Sequence, residues 1–310
     1  MMQTAARWAL RLGACFVIGP VAWWLTAHLR AADGSDHIPA ILSTSPLLGL
    51  LNTLGAVVLA ATVGVLTSRF VSLRAGLLNA GLVLTWAAAG AGTVETVARI
   101  WPDGSVLPRL AVEGLVLGLP VIAAVGLMVW AAGRQSVAAG EQADRFSVFG
   151  MPRAVLAELF GIAPRPAMLA EPAPLLSVGL GVLIAVVGAV LASWLVAQNM
   201  LKGQTIAAAA VGGLLAGAGL VLLDYRISPV VAVIGLGVVA AVSPVAGIFY
   251  SDLAIPRQNF DVHVFTGKLL PPARILPLDW LAGGLLGLSM GLSMGAWLSE
   301  NKYREQAVGV

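Results

Sequence analysis

The sequence predicts an all-α fold: a polytopic transmembrane helical bundle of about eight spans with both termini cytoplasmic. Two observations carry the class. The 310 residues are 59% hydrophobic and 11% charged, with a mean hydropathy of +0.92, where a soluble domain carries about 25% charged residues. A water-soluble fold would leave most of these apolar side chains in water, so a soluble enzyme is excluded. The apolar residues also fall in eight continuous runs, each with the roughly 20 residues that cross about 30 Å of hydrocarbon as a helix. No segment shows the alternation of a membrane β-barrel strand.

The spans are read at 12–29, 46–67, 75–97, 110–132, 175–198, 204–223, 229–250 and 279–298. Arg7 and Arg11 precede the first, which holds Pro20, Trp23 and Trp24 and lacks a small-residue cleavage pattern before Arg30. It is therefore expected to be a retained helix rather than a signal peptide. It also contains Cys15, the one cysteine, so an intrachain disulfide or a cysteine metal site is excluded.

Spans three and four are joined by the short turn Trp101, Pro102, Asp103, Gly104. Glu95 and Arg99 are four residues apart before that turn, and Arg109 and Glu113 are four apart after it. Four-residue spacing lets each pair meet on its own helix. The hairpin is expected to gather all four into a neutral cluster below the outer surface, either an interfacial ion network or a mouth for a polar group. Proline inside a span removes a backbone donor and frees a carbonyl, which makes Pro20, Pro120 and Pro244 candidate hinges.

The chain divides into a first four-helix membrane half at 1–133, a cytoplasmic loop at 134–174 and a second half at 175–310. Within the loop, 152–160 is predicted to form a short amphipathic helix, with Pro152 first and Gly161 just past its end. In span five Gly181, Ala185 and Gly188 mark a packing face, as do Gly213 and Gly217 in span six. Asp224, Tyr225 and Arg226 follow span six and are expected to anchor a turn before Pro229. The outer loop 251–278 alternates Phe260, Val262 and Val264 with Asp261 and His263, which is strand spacing. A strand there would need a pairing partner.

Span eight carries Gly283, Gly287, Gly291 and Gly295 at four-residue intervals. They share one face on which a neighbouring backbone can approach closely, a candidate helix-packing interface within the bundle or between chains. The same run spells GLSMG twice, at Ser289 and Ser293. A hydrolase elbow needs a strand-to-helix turn and a histidine base, and neither is in reach here.

Arg7, Arg11, Arg69, Arg74, Arg134, Arg145, Arg153, Arg165, Arg226, Lys302 and Arg304 fall on one side of the membrane, against Arg30, Arg99, Arg109, Lys202, Arg257, Lys268 and Arg274 on the other. The richer side is assigned to the cytoplasm. Trp8, Trp101, Trp130, Trp280 and Trp297 fall at span ends, where an interfacial ring is favoured. The basic residues never cluster, so nucleic acid is not expected as a partner despite the net charge of +3. His28, His37 and His263 lie outside the hydrocarbon with Asp33 and Asp36, which excludes bis-histidine haem and leaves a set without metal-ligand spacing. No cofactor and no catalytic constellation are expected.

These features imply an integral protein of a bacterial inner membrane, partnered by the lipid bilayer and by other membrane subunits or a second copy. The first expectation is a non-catalytic subunit or scaffold of a larger complex, drawn from the glycine face and the ordered outer loop. The second is a small transporter or channel for a lipid or uncharged solute, drawn from the prolines and the charge cluster.

Overall fold

The computed structural model describes residues 2–31, 34, 36–143, 175–224, 227–250 and 260–308. Its helices are α1 (Met2–Gly13), α2 (Gly19–Ala27), α3 (Pro46–Phe70), α4 (Leu73–Gly90), α5 (Val94–Ile100), α6 (Leu107–Ala143), α7 (Leu175–Val196), α8 (Lys202–Leu223), α9 (Pro229–Tyr250), α10 (Phe260–Phe265) and α11 (Pro277–Val308). Eight segments are long and apolar enough to cross a membrane, and every predicted boundary lies within four residues of the observed one. The chain is therefore a multi-pass α-helical membrane protein. The expected loop helix at 152–160, along with Asp33, Tyr225 and Arg226, lies outside the described residues.

Local chemistry sets where these helices start and break. Pro46 opens α3 within its first turn, where its missing N–H costs nothing. Ser72 caps α4 by accepting from Ala75 N at 3.2 Å, and Thr93 caps α5 by accepting from Thr96 N at 3.3 Å. The third span is consequently two helices, because α4 stops at Gly90 and α5 starts only after the extended Ala91 and the cap Thr93. Pro20 follows a π-helical turn, Ala14–Ile18, in which Gly19 N–H reaches back to the Ala14 carbonyl. One extra residue per turn accommodates the donor that the proline lacks.

α11 is central. It packs against α8, α4, α9 and α6, while α7 flanks α8 and α9, and α2 and α3 flank α4. The buried apolar core runs through these helices, including Leu77, Leu84, Leu117, Leu236, Trp280, Leu281 and Leu288. A second core sits on the outer end, the end away from both termini. There Ile38, Leu42, Val94, Val97, Leu110, Met200, Phe260, Val264, Leu269 and Leu276 pack into a cap built from all four outer connections.

Two expectations are corrected here. The alternating segment at Phe260, Val262 and Val264 is the helix α10, not a strand. Phe260 and Val264 are one helical turn apart and both buried, whereas Val262 is 50% exposed. The helix starts on the Trp101–Gly104 turn, with Phe260 N and Asp261 N both donating to the Pro102 carbonyl. Gly104, at φ +65°, lets the Phe260 side chain close over that turn.

Trp280 is wholly buried instead of interfacial, because its ring packs into the bundle core, 3.6 Å from a Cβ on Gly212 of α8. By contrast Trp8, Trp130 and Trp297 are all more than half exposed.

The glycine face of span eight is used inside the chain. A Cβ on Gly283, Gly287 or Gly291 would strike the carbonyl oxygens of Ile206, Ala210 and Leu214 on α8, and one on Gly295 would lie 2.8 Å from Val221 Cβ. From the other side, Gly213 lies against the Gly284 carbonyl, and a Cβ on Gly217 would lie 2.8 Å from the Leu288 carbonyl oxygen. The pair α8–α11 is thus backbone against backbone over about three turns, and the face is not available to another chain.

Candidate functional site

The expected cluster of Glu95, Arg99, Arg109 and Glu113 does not form. None of the four pairs with another. The break after Gly90 places Glu95 and Arg99 on the short outer helix α5, where Arg99 is exposed and bridges to Asp36 at 3.2 Å. Arg109 is exposed, while Glu113, one turn deeper, faces inward and is 2% exposed.

Glu113 joins a different set. Its Oε2 accepts from Ile41 N at 2.9 Å, and the Ala40 N–H faces the same carboxylate. These two amides are the free donors at the start of the one-turn helix Ala40–Leu42, whose first N–H groups have no partner within the helix. Lys202, in the first turn of α8, and Asp279, in the first turn of α11, both lie within electrostatic reach of Glu113.

Lys202 Nζ meets Asp279 Oδ1 at 2.7 Å and donates to the Gly92 carbonyl at 2.8 Å. Thr205 Oγ1 donates to the other oxygen, Asp279 Oδ2, at 2.8 Å. The Gly92 carbonyl is available to Lys202 because the third span is broken there. Asp279 is 1% exposed, and the Lys202 side chain 19%. Two carboxylates and one ammonium are therefore enclosed where α6, α8, α11, the break in span three and the cap converge.

α9 packs on α6 at the residue after Glu113, near one of the prolines. Pro244 supplies no N–H to the carbonyl of Ala240, four residues earlier. That carbonyl is the nearest atom to Gly114, the residue after Glu113, where a Cβ would lie 2.5 Å away. One turn lower, Gly118 and Gly237 are in contact, at 3.8 Å from a Cβ on Gly118 to Gly237 Cα. α6 and α9 thus cross through small residues, and Pro120 and Pro244 both lie inside helices that continue on either side of them.

Arg274 holds the cap. It is 8% exposed and gives its guanidinium donors to four carbonyls: Leu269 at 2.8 Å, Ala197 at 3.0 Å, Gln198 at 2.7 Å and Gly267 at 2.6 Å. Burial pushes its pKa below the ordinary arginine value. It ties the α7–α8 connection to the segment before α11.

The remaining candidates are placed apart. His28 is exposed, with Nδ1 2.7 Å from the Trp24 carbonyl. The Nδ1 atoms of His37 and His263 are buried in the cap without a hydrogen-bond partner. Among the described residues no three His, Cys, Asp or Glu side chains are grouped to hold a metal ion. Ser289 Oγ donates to the Leu286 carbonyl at 3.0 Å and Ser293 Oγ to the Ser289 carbonyl at 3.1 Å, so both hydroxyls are used within their own helix.

Sequence reasoning missed Lys202, Thr205 and Asp279. A signal was present, since a lysine at a helix N-terminus opposes the helix dipole and no acidic residue lies within a turn of Lys202 on its own helix. Such a lysine needs an acid from elsewhere. No family model, no curated protein and no solved structure matches the chain.

Proposed function

We propose that the protein is a small membrane transporter of a lipid or uncharged solute. The observation that carries this is the enclosure of Glu113, Lys202 and Asp279 at the outer ends of three spans, against a broken helix. Ionisable groups are expensive in the hydrocarbon region, and those that occur there commonly mark a pathway or a coupling site. Discontinuous helices that turn backbone groups toward such residues are a feature of secondary transporters. The glycine face, which favoured an assembly role in the sequence, is spent on the α8–α11 contact.

Purified protein in liposomes tests the reading with two probes, a fluorescent tail-labelled phospholipid for scrambling and radiolabelled glycerol for uptake. Movement of either above protein-free liposomes, reduced at least fivefold by Glu113→Gln, is expected. Rates equal to those of empty liposomes for both probes would refute it.

The cap favours a second reading, a subunit or scaffold, because its own hydrophobic core makes it a firm outer platform. The native mass of the protein from its own membrane in mild detergent separates the two. A stoichiometric complex with other chains supports the subunit, and a lone chain or homo-oligomer supports transport.

A further inference from the structure

We propose that the corner where α1 meets the α3–α4 turn, at the end opposite the cap, binds the headgroup of an anionic phospholipid through Arg11 and Arg69. The site does not depend on the transport reading.

The register of the first helix brings Arg11 to that turn. Gly13, Ile18 and Gly19 all keep right-handed helical backbone, so α1, the π-helical turn and α2 form one continuous rod. α2 and α4 run in the same direction, and Thr26 Oγ1 of α2 donates to the Ala87 carbonyl of α4 at 2.8 Å. Residues equally far back along two such helices lie within about a turn of one level. Fifteen residues back from Thr26 is Arg11, and fifteen back from Ala87 is Ser72. Ser72 is the cap of α4, and it stands between Arg69 at the end of α3 and Arg74 in the first turn of α4. Packing of α1 on both α3 and α4 agrees with this register.

The two arginines have aromatic neighbours and no acid. The Arg11 guanidinium lies over the Trp8 ring at 5.5 Å, and that of Arg69 over the Phe70 ring at 5.9 Å. Among the described residues neither has a carboxylate within ion-pair distance. The local sequence supplies none, because Asp and Glu are missing from 1–32 and from 37–94. The other helix ends on this side carry both signs: Asp224 follows α8, and Glu300 and Glu305 flank Lys302 and Arg304 in α11. The uncompensated positive charge is thus particular to this corner, beyond the general excess of basic residues on one side of a membrane.

The surroundings fit a lipid rather than a small anion. Trp8, Leu12 and Phe16 follow at four-residue steps and are 56%, 51% and 69% exposed, an apolar stripe that leads from the arginine level into the hydrocarbon. Phe70 is 61% exposed beside Arg69. Aromatic rings are favoured at the headgroup level, and a planar guanidinium matches a phosphate with two parallel hydrogen bonds. A phosphodiester at Arg11 and Arg69 with an acyl chain along Leu12 and Phe16 uses both parts of one molecule.

The test is the lipid retained by the purified, full-length protein. It is equilibrated in detergent micelles holding equal amounts of phosphatidylglycerol and phosphatidylcholine, and the bound lipids are counted by mass spectrometry after gel filtration. Phosphatidylglycerol is expected to exceed phosphatidylcholine about fivefold. The excess should be lost in Arg11→Gln and in Arg69→Gln, and persist in Arg99→Gln at the opposite end. Arg69 is exposed and outside any ion pair, so its variant keeps the test sound even if Arg11→Gln does not fold. Equal retention of the two lipids, or an excess that survives Arg69→Gln, overturns the site. An excess lost equally in Arg99→Gln reports net charge alone and overturns it as well. Millimolar inorganic phosphate should leave the excess unchanged, and its disappearance there would assign the corner to a free anion instead of a lipid.

Discussion

At the scale of single residues, the informative contacts are between charges and backbone. Lys202 is shared between a carboxylate at 2.7 Å and a carbonyl at 2.8 Å, so removing it strands Asp279. Lys202→Met is expected to destabilise the protein by about 3 kcal/mol, and pairing it with Asp279→Leu should recover most of that loss. A double-mutant cycle on thermal unfolding in detergent measures both. Arg274 differs in having no acidic partner, its four donors all going to carbonyls. Lysine has three donors on a single atom and cannot span that fork. Arg274→Lys is therefore expected to cost about 2 kcal/mol, and to show first as faster amide exchange at residues 260–276.

At the scale of elements, the eight spans were legible in the sequence because each is long, apolar and bounded by charge or proline. The discrepancies came where a partner decided the outcome. Residues 260–264 alternate like a strand, but a strand needs an edge to pair with, and the Pro102 carbonyl offers a cap for a helix start instead. Val264→Asp should then abolish folding of the cap while Val262→Asp is tolerated, whereas a strand would be damaged equally by both. Recovery of monodisperse protein distinguishes the cases.

Four-residue spacing identified the face of Gly283 to Gly295 correctly, but spacing alone holds no record of which helix lies opposite. Gly287→Leu is expected to cost about 3 kcal/mol through the α8–α11 contact, lowering Tm with no change in the mass of whatever protein still folds. In the same way, Glu95 and Arg99 shared a helix face in the sequence, and the Thr93 cap moved them onto a separate one.

At the scale of the molecule, the polarity is uneven. Among the described residues, the buried charged side chains Glu113, Arg274 and Asp279 all sit at the outer end, and the rest of the buried polar groups are serine, threonine and asparagine. The Lys and Arg count leads to the expectation that this end faces away from the cytoplasm. In a background with Cys15→Ala, a single cysteine at Lys268 should react with an impermeant maleimide added to intact cells. One at Arg74 should react only after lysis, and the opposite pattern would invert the assignment. The outer placement of the charges was legible only in part: the sequence located Glu113, but the convergence of Lys202 and Asp279 on it depends on packing among helices distant along the chain.

The central position of α11 has a consequence for biosynthesis. The helix that fills the middle of the bundle is translated after the other seven spans. Until it arrives, α8 and α4 present small-residue grooves to lipid or to one another, and Lys202 has no carboxylate from α11. The nascent chain must therefore be held open in the membrane, and its last span enters between helices that are already inserted. Truncation before Pro277 should leave an inserted but protease-sensitive intermediate, the substrate on which an insertion chaperone would act.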